Sequence, residues 1–126
     1  MLTKSDVIYL SGPMTVYADT GYNVHRFKAV EKMIGQKVGC KVLNPTTSFG
    51  GKTDRKKSEY MREDFRMLLE ATAVVLLDDW HLGQGGVQAE IVVAWNIGLP
   101  FYDERLDPIR LEPVIEIKSI PVDKQG

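Results

Sequence analysis

Cysteine is nearly missing from this chain: Cys40 stands alone, so no disulfide can close within it, and a reducing compartment is the setting this points to. Histidine is almost as scarce. His25 and His81 lack metal-ligand spacing, and one cysteine with two histidines makes a poor zinc set, so no metal and no cofactor is expected. Neither charge is in excess, because 16 Lys and Arg face 17 Asp and Glu, for a formal net charge of -1 and a pI near 6.1. That supplies no field for a polyanion. A nucleic acid polymer is therefore not an expected partner, whereas a single nucleotide is compatible with the balance. No apolar run reaches transmembrane length and no long apolar stretch stands near Met1, so no membrane partner is expected and the cytoplasm is the default location. Heptads, fixed-period repeats and low-complexity tracts are missing as well.

What is present suffices for one domain. A chain of 126 residues can bury roughly 65–70% of its unfolded surface without staples. Asp6-Val7-Ile8-Tyr9-Leu10 is β-rich and stops at Ser11-Gly12-Pro13, which predicts a buried strand running into a turn. Residues 23–34 place Phe27, Val30, Met33 and Ile34 on one helical stripe, with Asn23 as a candidate N-cap and Gly35 as a candidate stop. Lys41-Val42-Leu43-Asn44-Pro45 predicts a second strand, and the polar, basic residues 46–57 a mobile loop. Residues 58–71 predict a helix whose apolar face is Met61, Phe65, Leu68 and Leu69. Ala73-Val74-Val75-Leu76-Leu77 reads as a strand covered on both faces, with Asp78-Asp79-Trp80 after it. Pro100-Phe101-Tyr102 offers a further strand. Residues 104–126 are charged and proline-punctuated, and read as an extension beyond a 1–103 domain, either an edge strand or an oligomer arm.

The chain is organised around residues 83–100. Glycines 83, 85 and 86 mark a tight loop, and the apolar run behind them ends at Gly98 and Pro100, as a helix does. At about 100° per residue, Gln88 and Asn96 share one wet edge, while Glu90 falls roughly 160° from its middle. Glu90 therefore points inward. A buried carboxylate costs several kcal/mol unless it is paired or the site uses it. Asp64 is in the same position on its own helix, three residues after Met61 and four before Leu68. The surplus apolar face of the 87–97 helix further predicts a homo-oligomer, a dimer or larger.

Strand, helix, strand, helix, strand, helix, strand is the order of an α/β domain with a parallel sheet. Ligands in such sheets bind beyond the carboxyl ends of the strands. Ser11-Gly12-Pro13-Met14-Thr15, Asn44-Pro45, Asp78-Asp79-Trp80 and Gln84-Gly85-Gly86 would all meet there, with Glu90 and Asp64 facing the same crevice.

At this point the chain resembles the nucleoside 2-deoxyribosyltransferase-like superfamily, most closely its small domains frequent in bacteriophage genomes. The residues that carry the likeness are Ile8-Tyr9-Leu10-Ser11-Gly12-Pro13-Met14-Thr15, Asn23 with Phe27, Asn44-Pro45, Met61-Arg62-Glu63-Asp64, Asp78-Asp79-Trp80, and Gly86 through Glu90 followed by Ala94 and Gly98-Leu99-Pro100. The resemblance implies a flavodoxin-like, Rossmann-like three-layer sandwich with a parallel sheet of about 4–5 strands. It also implies a small-molecule partner, a 2′-deoxynucleoside or its 5′-monophosphate, whose N-glycosidic bond is cleaved or exchanged in the cytoplasm, the host's if the chain is phage-encoded. By that likeness Glu90 is the nucleophile that forms a covalent deoxyribosyl intermediate. Tyr9 orients it, and Asp64 holds the substrate or protonates the departing base. Amides of the 11–15 loop, Gly85 and Gly86 would bind the 5′ end. Asn23, Asn44, Asp79 and Trp80 complete the expected substrate shell. Six residues before the nucleophile the family usually carries Asp or Ser, and here stands Gln84, which leaves nucleoside and nucleotide both open.

Other readings stand beside these. Glu90 can be a structural acid paired with an arginine or with capping amides, Asp64 one paired with Arg62 or Arg66 along its helix, and Tyr9 an ordinary core aromatic. Lys52, Arg55, Lys56 and Lys57 form either a phosphate funnel or a solvated loop. At the level of function, the alternative to an enzyme is a nucleotide-binding module, a sensor or sequestering protein, that uses the same crevice without turnover.

Overall fold

The computed structural model describes residues 1–14, 23–52, 54–82 and 85–123. Its core is a five-stranded sheet in the order β2-β1-β3-β4-β5. The strands are β1 (Val7–Ser11), β2 (Lys41–Leu43), β3 (Ala73–Leu76), β4 (Phe101–Tyr102) and β5 (Pro108–Ile109). The first four are mutually parallel, and β5 joins β4 antiparallel at the edge. Three helices connect them: α1 (Val24–Lys37), α2 (Lys57–Glu70) and α3 (Gly86–Asn96). This is the α/β domain expected from the alternation of elements, in the flavodoxin-like three-layer arrangement that the resemblance implied. The edge strand of the C-terminal region lies at Pro108–Ile109, not in the weakly alternating 114–117 stretch.

Strand parity divides the core in two. Ile8 and Leu10 of β1 pack with Ala73, Val75 and Leu77 against Phe27, Val30 and Ile34 of α1. Tyr9 points to the other side, where Val74, Leu76 and Phe101 meet Met67 and Leu68 of α2 and Val87, Ile91 and Ala94 of α3. Each fully buried aliphatic side chain contributes ~1.5–3 kcal/mol, so both layers are needed to hold the sheet. Among the described residues no helix is long and apolar enough to cross a membrane.

Three local expectations shift. Helix α1 runs past Gly35 and ends at Gly39, whose φ of 77° suits glycine and whose amide donates to the Ile34 carbonyl. On α2 the buried residues are Asp64, Met67 and Leu68; Leu69, expected on the apolar face, is 71% exposed, because it lies about 100° further round the helix than Leu68. Within the expected 46–57 loop, Pro45–Gly51 forms short 3-10 turns, entered through the Asn44 side chain, which accepts from the Thr46 amide at 3.0 Å. By contrast, Gly98 ends α3 as anticipated. Its φ is 81°, its amide donates to Trp95 and the Leu99 amide to Ala94, the paired bonds of a Schellman motif.

Candidate active site

Tyr9 and Ser11 are two apart on β1, so both side chains face the α2/α3 side. Ser11 is the last residue of the strand, at its carboxyl end. Helix α3 buries Val87, Glu90, Ile91 and Ala94, a spacing that turns one face to the sheet. Glu90 lies on that face within hydrogen-bond reach of the carboxyl end of β1. Helix α2 presents Asp64 one turn before Met67 and Leu68. Three elements thus deliver four polar side chains to one buried place: Tyr9 is 0% exposed, Ser11 1%, Asp64 3% and Glu90 6%.

The contacts decide the electrostatics. The Ser11 hydroxyl donates to Glu90 Oε1 at 2.8 Å, a bond that favours the anion. Burial pushes the Glu90 carboxyl well above the usual carboxylate range, and the neighbouring Asp64 charge pushes it further. Asp64 is raised to about 6, chiefly by burial, with Glu63 adding in the same direction and a hydrogen bond with Glu90 opposing. The Tyr9 phenol is held well above its ordinary value by burial and by the charges of Glu90 and Asp64. Among the described residues, the Tyr9 hydroxyl and Asp64 Oδ1 are buried without a well-formed hydrogen bond. Two like-charged acids in a dry site cannot both ionise at neutral pH without a large cost, so the pair titrates as a unit and shares a proton. Such a pair can hold one carboxylate for attack and one acid for proton delivery.

Residues 12–14, directly after β1, are closely held. Gly12 lies against Leu77, the residue directly after β3: a Cβ there would meet Leu77 Cβ at 2.9 Å. Pro13 is buried. Asn23, the candidate N-cap, stands at the start of α1, yet its side chain does not cap the helix. Its amide instead donates to the Pro13 carbonyl at 3.2 Å, while its backbone N–H donates to Met14 at 2.7 Å. Asn23 thereby ties the two ends of the intervening segment together. The Met14 side chain packs with the α1 layer, on the far side of the sheet from Glu90.

The remaining expected residues are distributed more widely. Asn44 is buried and committed on every side: its Oδ1 accepts from the Thr46 amide and hydroxyl, and its Nδ2 donates to Glu31 at 2.9 Å. Asp79 is paired with Arg26 at 3.4 Å, and Arg26 also grips Glu104 through Nη2 at 2.8 and 2.9 Å. Trp80 packs against the α2/α3 core, the layer that holds the acids, with His81 edge-on at 6.2 Å between ring centroids. Gly86 leaves room for Met61, whose Sδ would lie 3.5 Å from a Cβ there, and a Cβ on Gly85 would stand 3.6 Å from Lys57 Nζ. Gln84 and Thr15 lie outside the described residues. Among those described, no group of three His, Cys, Asp or Glu side chains is arranged for a metal ion.

Sequence reasoning missed three features. Ser11 was assigned to a substrate loop, whereas its hydroxyl holds Glu90; the parity it shares with Tyr9 was the available signal. Neither Arg26 nor Glu31 carried any local mark, since their partners are distant in the chain.

A family model described as a domain of unknown function, DUF4406, matches residues 6–103. Neither the curated proteins nor the solved structures provide a match.

Proposed function

The chain belongs to the DUF4406 family, a domain of unknown function, and we propose that it is an enzyme that cleaves or exchanges the N-glycosidic bond of a 2′-deoxynucleoside or its 5′-monophosphate. The observation that carries this reading is the buried Glu90–Asp64 pair at the carboxyl end of β1, with Glu90 Oε1 held by Ser11 at 2.8 Å. Buried acids with raised pKa values at the carboxyl end of a parallel strand are the kind of groups that glycosidic chemistry uses. The likeness of the Tyr9, Asp64 and Glu90 motifs to the nucleoside 2-deoxyribosyltransferase-like superfamily supplies the substrate class.

In the proposed reaction the proton shared by the pair sits on Asp64, the arrangement that the Ser11 hydrogen bond to Glu90 favours, and a Glu90 carboxylate oxygen attacks the anomeric carbon as the bond to the base nitrogen breaks. Asp64 gives its proton to the departing base and is left as the carboxylate. Water, or a second base, then attacks the same carbon from the opposite side; Asp64 takes its proton and Glu90 leaves as the carboxylate. Ser11 stabilises Glu90 each time the anion forms, and the Tyr9 hydroxyl, lacking another partner among the described residues, is free to donate to it.

A second reading has an observation of its own. Glu90 is raised well above the carboxylate range, and a protonated acid is no nucleophile, so a binding module that captures a nucleotide without turnover is the competing function. Incubation with a panel of deoxynucleosides and monophosphates separates the two. Release of free base that disappears in Glu90→Ala supports the enzyme; ligand-dependent thermal stabilisation with no base released supports the binder.

A further inference from the structure

Among the described residues, two surfaces outside the site expose apolar side chains. The first is the stretch after β5. Residues 110–123 run without helix or strand, and Val114, Ile115, Ile117, Ile120 and Val122 are 58–89% exposed. Leu111, at the root, still packs on the α2/α3 core, and Pro113 and Pro121 favour an extended course beyond it. Tails that remain in water are poor in large aliphatic side chains. This one is rich in them.

The second surface is a groove of about 710 Å³ on the outward side of α2. Phe49, Phe65 and Leu69 form its apolar floor, and Arg55, Arg62 and Arg66, with Glu59 and Glu63, its charged rim. Arg55 stacks over Phe49 at 4.6 Å and pairs with Glu59, and Arg66 pairs with Glu63 and Glu70. Arg62 makes no ion pair among the described residues, nor do Glu112 and Glu116 of the tail.

We propose that residues 110–123 of one chain lie in the α2 groove of a second copy, and reciprocally, so that two chains form an arm-exchanged dimer. Ile115 and Ile117, two apart on one side of an extended strand, suit the Phe65 and Leu69 floor. Glu112 and Glu116 come within reach of Arg62, so that acids and a cation without partners in their own chain satisfy one another. Reciprocal exchange gives a closed twofold interface. Arm and groove together bring each chain to about 20 residues a side, the low end of a standard stable interface. A second copy supplies this occupant in equal number, which an unrelated partner does not.

Sedimentation of the full-length chain at micromolar concentration tests the idea. The wild type is expected at twice the 14.2 kDa of one chain, and Ile115→Asp with Ile117→Asp at the mass of one. Both residues are exposed within their own chain, so the variant should still fold and melt cooperatively as a monomer, without the concentration dependence that a dimer shows. Arg62→Glu is expected to weaken the dimer severalfold, and Glu116→Arg added to it to restore the affinity. A monomeric wild type overturns the proposal. So does a dimer that survives the arm variant, or one lost through Trp95→Asp on α3 while the arm variant leaves it intact.

Discussion

Ser11 Oγ, on the last residue of β1, lies 2.8 Å from Glu90 Oε1 on α3, and donates the larger of the two side-chain hydrogen bonds, its own and that of Tyr9, that draw the Glu90 proton affinity down against burial and the Asp64 charge. Hydrogen bonds to charged groups are worth ~1.5–3 kcal/mol. Ser11→Ala is therefore expected to lower base release by about 10- to 100-fold, with the acidic limb of the pH–rate profile moved to higher pH. Ser11→Thr, which keeps the hydroxyl, should retain most of the activity. A rate loss with an unmoved pH profile would mean that Ser11 only fills space.

The two acids also set how stability depends on pH. Asp64 is raised to about 6 by burial, and Glu90 is raised well above the carboxylate range, again by burial first. Glu104 shifts the same way, through burial and Asp78. Each binds its proton more tightly in the folded chain, so the stabilisation is whole below the unfolded values near pH 4 and is lost as pH rises through the folded ones. Stability should fall from about pH 4 to about pH 6 as Asp64 ionises, and go on falling above that as Glu90 does. Asp6, Glu63 and Asp103 shift downward, but solvent screens them and they offset little. Thermal melts across this range check the sign: a melting temperature that climbs steadily through pH 6 would contradict it.

Glu90→Gln separates the chemistry from the fold. The Gln carbonyl can accept from Ser11 and its amide can donate to Asp64, so the like-charge conflict is removed while the shape is kept. The expected result at neutral pH is a gain of about 1–2 kcal/mol, or roughly 3–8 °C for a chain of this size. The fall in stability with pH should flatten, and base release should be lost. A destabilised Glu90→Gln would show that the carboxylate is a structural partner.

The inward aim of Glu90 and Asp64 was legible in the sequence because helical phase is a local property: Gln88 and Asn96 mark the wet edge of α3, and Glu90 lies opposite. The same phase misplaced Leu69, since Met61 and Phe65 pulled the apolar stripe away from the Asp64, Met67 and Leu68 line that is buried. Ser11 was obscured because Ser-Gly-Pro reads as a turn, and turn chemistry hides strand parity at the final residue of a strand. Asn44 was expected in the substrate shell because it follows a strand and matches a motif of the family the chain resembles. Its side-chain contacts with Thr46 and Glu31 were not legible, the second being supplied only when α1 folds onto β2.

Gly12 offers the most direct test of how the loop after β1 is positioned. A Cβ at this residue would sit 2.9 Å from Leu77 Cβ, and 3.3 and 3.4 Å from its Cδ2 and Cγ. Leu77 is fully buried, and its Cβ is fixed to the backbone, so relief requires the loop or β3 to shift. Overpacking of this kind costs ~1–3 kcal/mol. Gly12→Ala should therefore destabilise the chain by about that much, and also move Ser11, one residue upstream, off Glu90. Activity would fall by more than unfolding accounts for at temperatures where the variant remains folded. Leu77→Ala trims Cγ and Cδ2 but leaves the 2.9 Å contact in place, so it should not rescue Gly12→Ala and should add its own cavity cost of ~2–5 kcal/mol. A double variant more stable than Gly12→Ala alone would place the conflict at the Leu77 side-chain tip, and the loop would then be held by something other than the approach of two backbones.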